Sequence, residues 1–215
     1  MCAYLFLNRH RPTTRAVLVA APGRIRHPFA SETGVNAVIS KLRKLLGPGV
    51  IDGRSSVRLR LGVAARVDVE AATTSVHQAE SQVALGEWKR AWGPSLVALF
   101  VAEREFLPGA DAPWIDEQRR QLADIRLRAL EAHAAAALGT GGTELPGAIR
   151  VGRQLVDLVP LRETGYKVLM QALACQGNIA EALSVYASLR GVLRDELGVS
   201  PSPKTQALYD DLLHA

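Results

Sequence analysis

From residue 69 to the C-terminal end, apolar side chains recur at helical spacing, and part of that pattern repeats. Tyr166, Leu169, Met170 and Leu173 form one stripe, and the run Gly177-Asn178-Ile179-Ala180-Glu181-Ala182 with Tyr186 opens the next. Small residues at these positions let two helices approach closely. Ala148 stands 34 residues before Ala182, and Pro160 ends that earlier unit. A third, looser copy surrounds residues 86–91. Such segments bury their faces only against sequence neighbours, so this part of the chain must be a stack of helix pairs. An irregular loop over 107–113 and one long helix over about 114–138 separate the copies.

Charge divides the chain where this pattern begins. Residues 1–66 hold 12 Lys/Arg against Glu32 and Asp52, whereas 67–215 hold 14 basic against 19 acidic residues, so +10 and −5 give the overall +5. The expected domains are therefore 1–66, basic, and 67–215, acidic. The repeat spacing is that of a tetratricopeptide helix pair, which makes the expected fold class mainly α with a tetratricopeptide-like second domain. The basic end is suited to a polyanion.

Several function classes find no support. No apolar run reaches the roughly 18 residues of a membrane span, and the first seven residues lack signal-peptide flanks, which predicts a cytoplasmic protein with no membrane partner. Cys2 and Cys175 form no disulfide or thiolate-metal pattern. The histidines at 10, 27, 77, 133 and 214 have no i,i+4 pair, so no metal is expected. Gly139-Thr140-Gly141-Gly142 lacks the Gly-Lys-Ser/Thr ending of a phosphate loop and reads as a turn between helices. With no nucleophile or paired-carboxylate constellation, the chain is not expected to be an enzyme or to need a cofactor. Trp88, Trp92 and Trp114 are expected to pack between repeat helices.

The basic unit begins with helical pieces over 3–7 and 14–21, broken by Pro12, with Thr13 or Thr14 as a cap. Residues 21–29 hold two prolines and read as a loop. Residues 33–46 form its best amphipathic helix: Val35, Val38, Ile39, Leu42, Leu45 and Leu46 share one face, and Asn36, Ser40, Lys41, Arg43 and Lys44 the other. Gly47-Pro48-Gly49 stops it. Val50-Ile51, a turn over 52–56, and alternating Val57, Leu59 and Leu61 against Arg58 and Arg60 predict a basic hairpin. A polar helix with a cationic ribbon beside it has the shape to enter the major groove of double-stranded DNA, arginine and asparagine reading bases and the hairpin holding phosphates. RNA is disfavoured by the scarcity of aromatic side chains in this unit, which holds Tyr4, Phe6 and Phe29.

These residues resemble a known family. The segment from Gly34 to Gly47 is similar to the recognition helix of OmpR-type winged helices in the Streptomyces antibiotic regulatory protein group. Residues 67–213 resemble that group's bacterial transcriptional activator domain through Pro160-Leu161-Arg162-Glu163, Gly177 with Ala182 and Tyr186, and Asp195-Glu196-Leu197-Gly198-Val199-Ser200-Pro201. The resemblance implies a partial winged helix-turn-helix with a β-hairpin wing, the family's N-terminal sheet falling before Met1. It also implies an activator that binds promoter repeats, contacts RNA polymerase and self-associates as a homodimer. Transferred residue by residue, Asn36, Ser40, Lys41, Arg43 and Lys44 would face DNA from the helix, and Arg54, Arg58 and Arg60 from the wing. The alternative is a tetratricopeptide-like protein-interaction scaffold that has lost DNA binding.

Overall fold

A computed structural model describes residues 1–21, 31–62 and 64–214. Apart from Ala21, the loop expected over 21–29 lies outside the described residues. The chain divides into two compact units, Met1–Glu70 with Arg104–Leu122, and Ala71–Glu103 with Ala123–Ala215. Residues 67–70 and 104–122, which the charge pattern grouped with the acidic domain, thus belong to the first unit. Trp114 accounts for the second of these segments. Its indole nitrogen donates to the Ala21 carbonyl at 2.6 Å, and its ring meets Tyr4 and Phe106 edge-on, with centroids 5.2 and 6.1 Å away. Its expected place between repeat helices is corrected accordingly. Arg9, paired with both oxygens of Glu70, secures the other segment.

The first unit contains α1 (Cys2–Leu7), β1 (Thr13–Thr14), α2 (Arg15–Ala20), α3 (Glu32–Leu46), β2 (Ile51–Asp52) and β3 (Ser56–Leu59). The strands form an antiparallel sheet of order β1-β3-β2. Sequence reasoning found the β2-β3 hairpin but not β1, which pairs Thr13 with Val57 and Thr14 with Ser56. Thr14 also caps α2, its hydroxyl accepting from the Val17 amide at 3.5 Å, so one residue ends a strand and starts a helix. Leu5, Leu18, Val35, Ile39, Ile51, Val57 and Leu59 form the core beneath these elements.

The later helices are α4 (Asp68–Ala84), α5 (Trp88–Ala102), α6 (Pro113–Thr140), α7 (Leu145–Leu158), α8 (Glu163–Cys175), α9 (Ile179–Leu197) and α10 (Pro203–Leu213). The repeat is visible in the turns. Gly86 between α4 and α5 and Gly177 between α8 and α9 take φ of +72° and +82°. The next residues, Glu87 and Asn178, have nearly equal backbone angles, and four residues on, Ala91 and Ala182 are fully buried. Ala148 on α7 is fully buried as well. The α7-α8 pair packs through glycines: a Cβ on Gly165 would lie 2.7 Å from the Leu155 Cβ, and one on Gly152 3.2 Å from the Leu169 Cβ. Trp88 and Trp92 meet α6 as expected, Trp88 against Gly139 and Trp92 against His133 with centroids 4.4 Å apart. Burial first, and then the charge of Arg150, push the His133 imidazole down from its ordinary value. Its Nδ1 lies 3.0 Å from the Ser95 hydroxyl.

Two motif segments that are distant in sequence join at Glu163. Its carboxylate accepts from the Ser202 amide at 2.9 Å, from the Ser202 hydroxyl at 2.6 Å, and from the Thr205 hydroxyl. A carboxylate at the start of α10 satisfies an orphan amide and complements the helix dipole. Burial alone would raise the Glu163 carboxyl. The hydrogen bonds from Ser202 and Thr205, with the charge of Lys167, outweigh it and hold the group below the usual carboxylate range.

Candidate nucleic-acid interface

Helix α3 starts where the Ser31 hydroxyl accepts from the Gly34 amide at 3.2 Å, and it stops at Gly47, φ +90°. Val35 and Ile39 are buried, while Val38, Leu42 and Leu46 are partly covered. Leu45, expected on this packing face, is instead 72% exposed. At 100° per residue it stands about 80° from Val35, at the rim, where no core reaches it. Opposite the core, Asn36, Ser40 and Lys44 form an exposed i,i+4 ridge with exposed Lys41 beside it.

Arg43 differs from the other predicted contacts. It stands about 80° from Val35 on the other rim. Its side chain is partly buried; Nε donates to the Ile51 carbonyl at 3.2 Å and Nη2 to the Gly53 carbonyl at 2.6 Å. These bonds tie α3 to the wing and engage two of the guanidinium nitrogens that a bidentate base contact would use. Gly53 makes the acceptor site: φ is +94°, and a Cβ there would fall 2.0 Å from the Ser56 carbonyl oxygen.

On the wing, Ile51 pairs with Leu59 and Asp52 with Arg58. Val57 and Leu59 are buried between exposed Arg58 and Arg60. Arg60 forms an ion pair with Asp52 at 2.9 Å, which offsets part of its charge. Among the described residues the side chains of Arg54 and Arg58 have no ion-pair partner, and both are exposed. The Arg54 carbonyl accepts from Arg15 Nε at 2.6 Å. Arg15 is thus a second wing support, which sequence reasoning missed because nothing local to α2 marks it.

The exposed set is therefore Asn36, Ser40, Lys41 and Lys44 on α3 with Arg54 and Arg58 on the wing; Arg60 is exposed but paired, and Arg43 is internal to the framework. Among the described residues no group of three His, Cys, Asp or Glu side chains could hold a metal, and no helix is long and apolar enough to cross a membrane.

A helix braced by a short β-ribbon, with helical hairpins following, defines the winged-helix and helical-repeat class of regulator fold. Residues 67–213 match the bacterial transcriptional activator domain, and the chain belongs to that family, as the resemblance to Streptomyces antibiotic regulatory proteins implied. The regulatory protein AfsR of Streptomyces coelicolor is 33% identical over 216 residues, covering 100% of this chain and 22% of AfsR. The transcriptional regulatory protein EmbR of Mycobacterium tuberculosis is 26% identical over 231 residues, covering 98% of this chain and 56% of EmbR. MoaR1 of the same species is 27% identical over 232 residues, covering 98% of this chain and 70% of MoaR1. A structure of M. tuberculosis EmbR in complex with a low-affinity phosphopeptide shares the fold, with a TM-score of 0.82 at 24% identity over 99% of this chain and 57% of that one. The chain thus spans about a fifth of AfsR and just over half of EmbR.

Proposed function

We propose that this chain is a DNA-binding transcriptional activator, cytoplasmic and without enzymatic activity, that docks α3 in the major groove of promoter repeats. The observation that carries this reading is the exposed Asn36-Ser40-Lys44 ridge with Lys41, on a helix that buries Val35 and Ile39 and is bonded through Arg43 to the wing that carries exposed Arg58. A ridge of this kind supplies amide, hydroxyl and ammonium groups to base edges and phosphates, while the wing cation meets the backbone. In this reading residues 1–66 bind DNA, and residues 67–215 contact RNA polymerase and support a homodimer, in keeping with the family match.

Selection from a random duplex library, followed by fluorescence anisotropy on enriched and scrambled duplexes, tests it. Enrichment of a repeated motif that Lys41→Ala/Lys44→Ala loses is the expected result. Weak, salt-labile retention with no enrichment would instead assign the chain to a protein-interaction scaffold.

A further inference from the structure

A groove of about 540 Å³ opens within the second unit, between residues of α4, α5, α6, α8 and α10. Its wall is mostly apolar, with Trp88, Leu138 and Leu208 contributing, and Gln171, Lys167 and Lys204 adding polar groups. Gly139 shapes one end. A Cβ there would sit 2.3 Å from the Trp88 ring, so only glycine lets the indole lie against the α6 backbone. Size and lining are those of a site for a small organic molecule, concave and apolar with a few placed polar groups.

The charges narrow the choice. The second unit, Ala71–Glu103 with Ala123–Ala215, holds 11 Lys/Arg against 13 Asp/Glu and contains three lysines, Lys89, Lys167 and Lys204, two of which line this one groove. Arginines of the same unit are extensively paired, among them Arg90, Arg128, Arg153, Arg162 and Arg194. Neither groove lysine has a carboxylate within 4 Å among the described residues. Lys167 does lie in the field of Glu131 and Glu163. Both already have partners: Arg162 Nε lies 2.9 Å from Glu131, and Ser202 and Thr205 donate to Glu163. Partly covered Lys167 and exposed Lys204 thus line an apolar groove of an acidic unit without a carboxylate partner of their own.

We propose that this groove binds a small organic anion with an apolar body, such as an aromatic or medium-chain carboxylate or sulfonate, its ring or chain against Trp88 and Leu208 and its charge between Lys167 and Lys204. The site is separate from the DNA-facing residues and does not depend on how they are read.

The test uses the full chain with 1-anilinonaphthalene-8-sulfonate and its uncharged counterpart N-phenyl-1-naphthylamine. Calorimetry and heteronuclear NMR would follow the Trp88 indole and the Gly139 and Gln171 amides. We expect one sulfonate per chain, with shifts centred on those signals. Lys167→Gln and Lys204→Gln should each weaken sulfonate binding about 10-fold, as expected for a lost charge-assisted contact, while leaving the affinity for the neutral probe unchanged. Equal sulfonate affinity in the double variant, or shifts scattered over other faces, would overturn the assignment. So would a short peptide of alternating Glu and Leu that displaces the sulfonate at a concentration below the sulfonate's own Kd, because the groove would then be a protein-docking surface.

Discussion

Arg43 Nη2 donates to the Gly53 carbonyl at 2.6 Å, joining the last turn of α3 to the bend between the two wing strands. The bond makes the angle between helix and wing a property of one side chain. Arg43→Ala leaves two wing carbonyls without their donor, which should lower the stability of the first unit by about 1.5–3 kcal/mol, the usual range for a bond to a charged group. DNA affinity should fall for all duplexes alike, in contrast to Asn36→Ala, which should relax preference at one base pair by about 1–3 kcal/mol. Urea melts and anisotropy on a panel of single-base variants would separate the two patterns. A change in base preference for Arg43→Ala would return that residue to the reading face.

Lys41, Lys44 and Arg58 are exposed cations without ion-pair partners among the described residues, whereas Arg60 is held by Asp52 at 2.9 Å. Replacing any of the first three by Ala should reduce the slope of log K against log salt by about 1 where it contacts phosphate. Arg60→Ala should change it less. Titrations between low and moderate salt would measure this, and an equal effect at Arg60 would show that the ion pair opens on binding.

Glu163 links α8 to the start of α10 through Ser202 and Thr205. Glu163→Ala should cost about 1–3 kcal/mol by leaving these donors unsatisfied. Burial opposes ionisation, but the hydrogen bonds and Lys167 prevail, so the folded carboxyl titrates below its unfolded value. Its contribution is therefore full above the ordinary glutamate value and is lost as pH falls through the folded one. Denaturant melts of Glu163→Gln should show a shallower loss of stability on acidification than the parent chain, and parallel curves would refute the assignment.

Gly165 and Gly191 are both helical, yet their surroundings differ. A Cβ on Gly165 would meet Leu155 at 2.7 Å and the Val156 nitrogen at 3.1 Å, while one on Gly191 meets nothing within 4 Å. Gly165→Ala should destabilise by about 1–3 kcal/mol through overpacking. Gly191→Ala should stabilise by up to about 1 kcal/mol through helix propensity. Thermal melts of the pair check the sign at each site.

The helical array was legible because its signal is local. The turn glycines and the small residues that follow them are close in sequence, so the spacing of Gly177, Ala182 and Tyr186 carries the pairing of α8 with α9, and Ala148 the earlier copy. The hairpin and the amphipathic face of α3 were legible for the same reason. Strand β1 was not: two threonines after Pro12 form too short a run to announce a strand, and their pairing depends on residues 56 and 57. Trp114 was misplaced because its helix lies between the repeat copies in sequence, while its hydrogen-bond partner, Ala21, is far away in sequence.

Periodicity and charge, which rest on interactions spanning a few residues, by themselves determined the class of fold, the split between a cationic and an acidic part, and which helix carries a free polar face. Only the tertiary structure decided the rims of that helix. Arg43 and Leu45 stand about 80° to either side of buried Val35, and periodicity leaves both at the edge of the apolar face. The wing lies beside one rim, so Arg43 is bonded to it and Leu45 is left 72% exposed. Where the wing lies follows from the register of β2 and β3 and from the turn at Gly53, non-local features that the period of a helix does not encode.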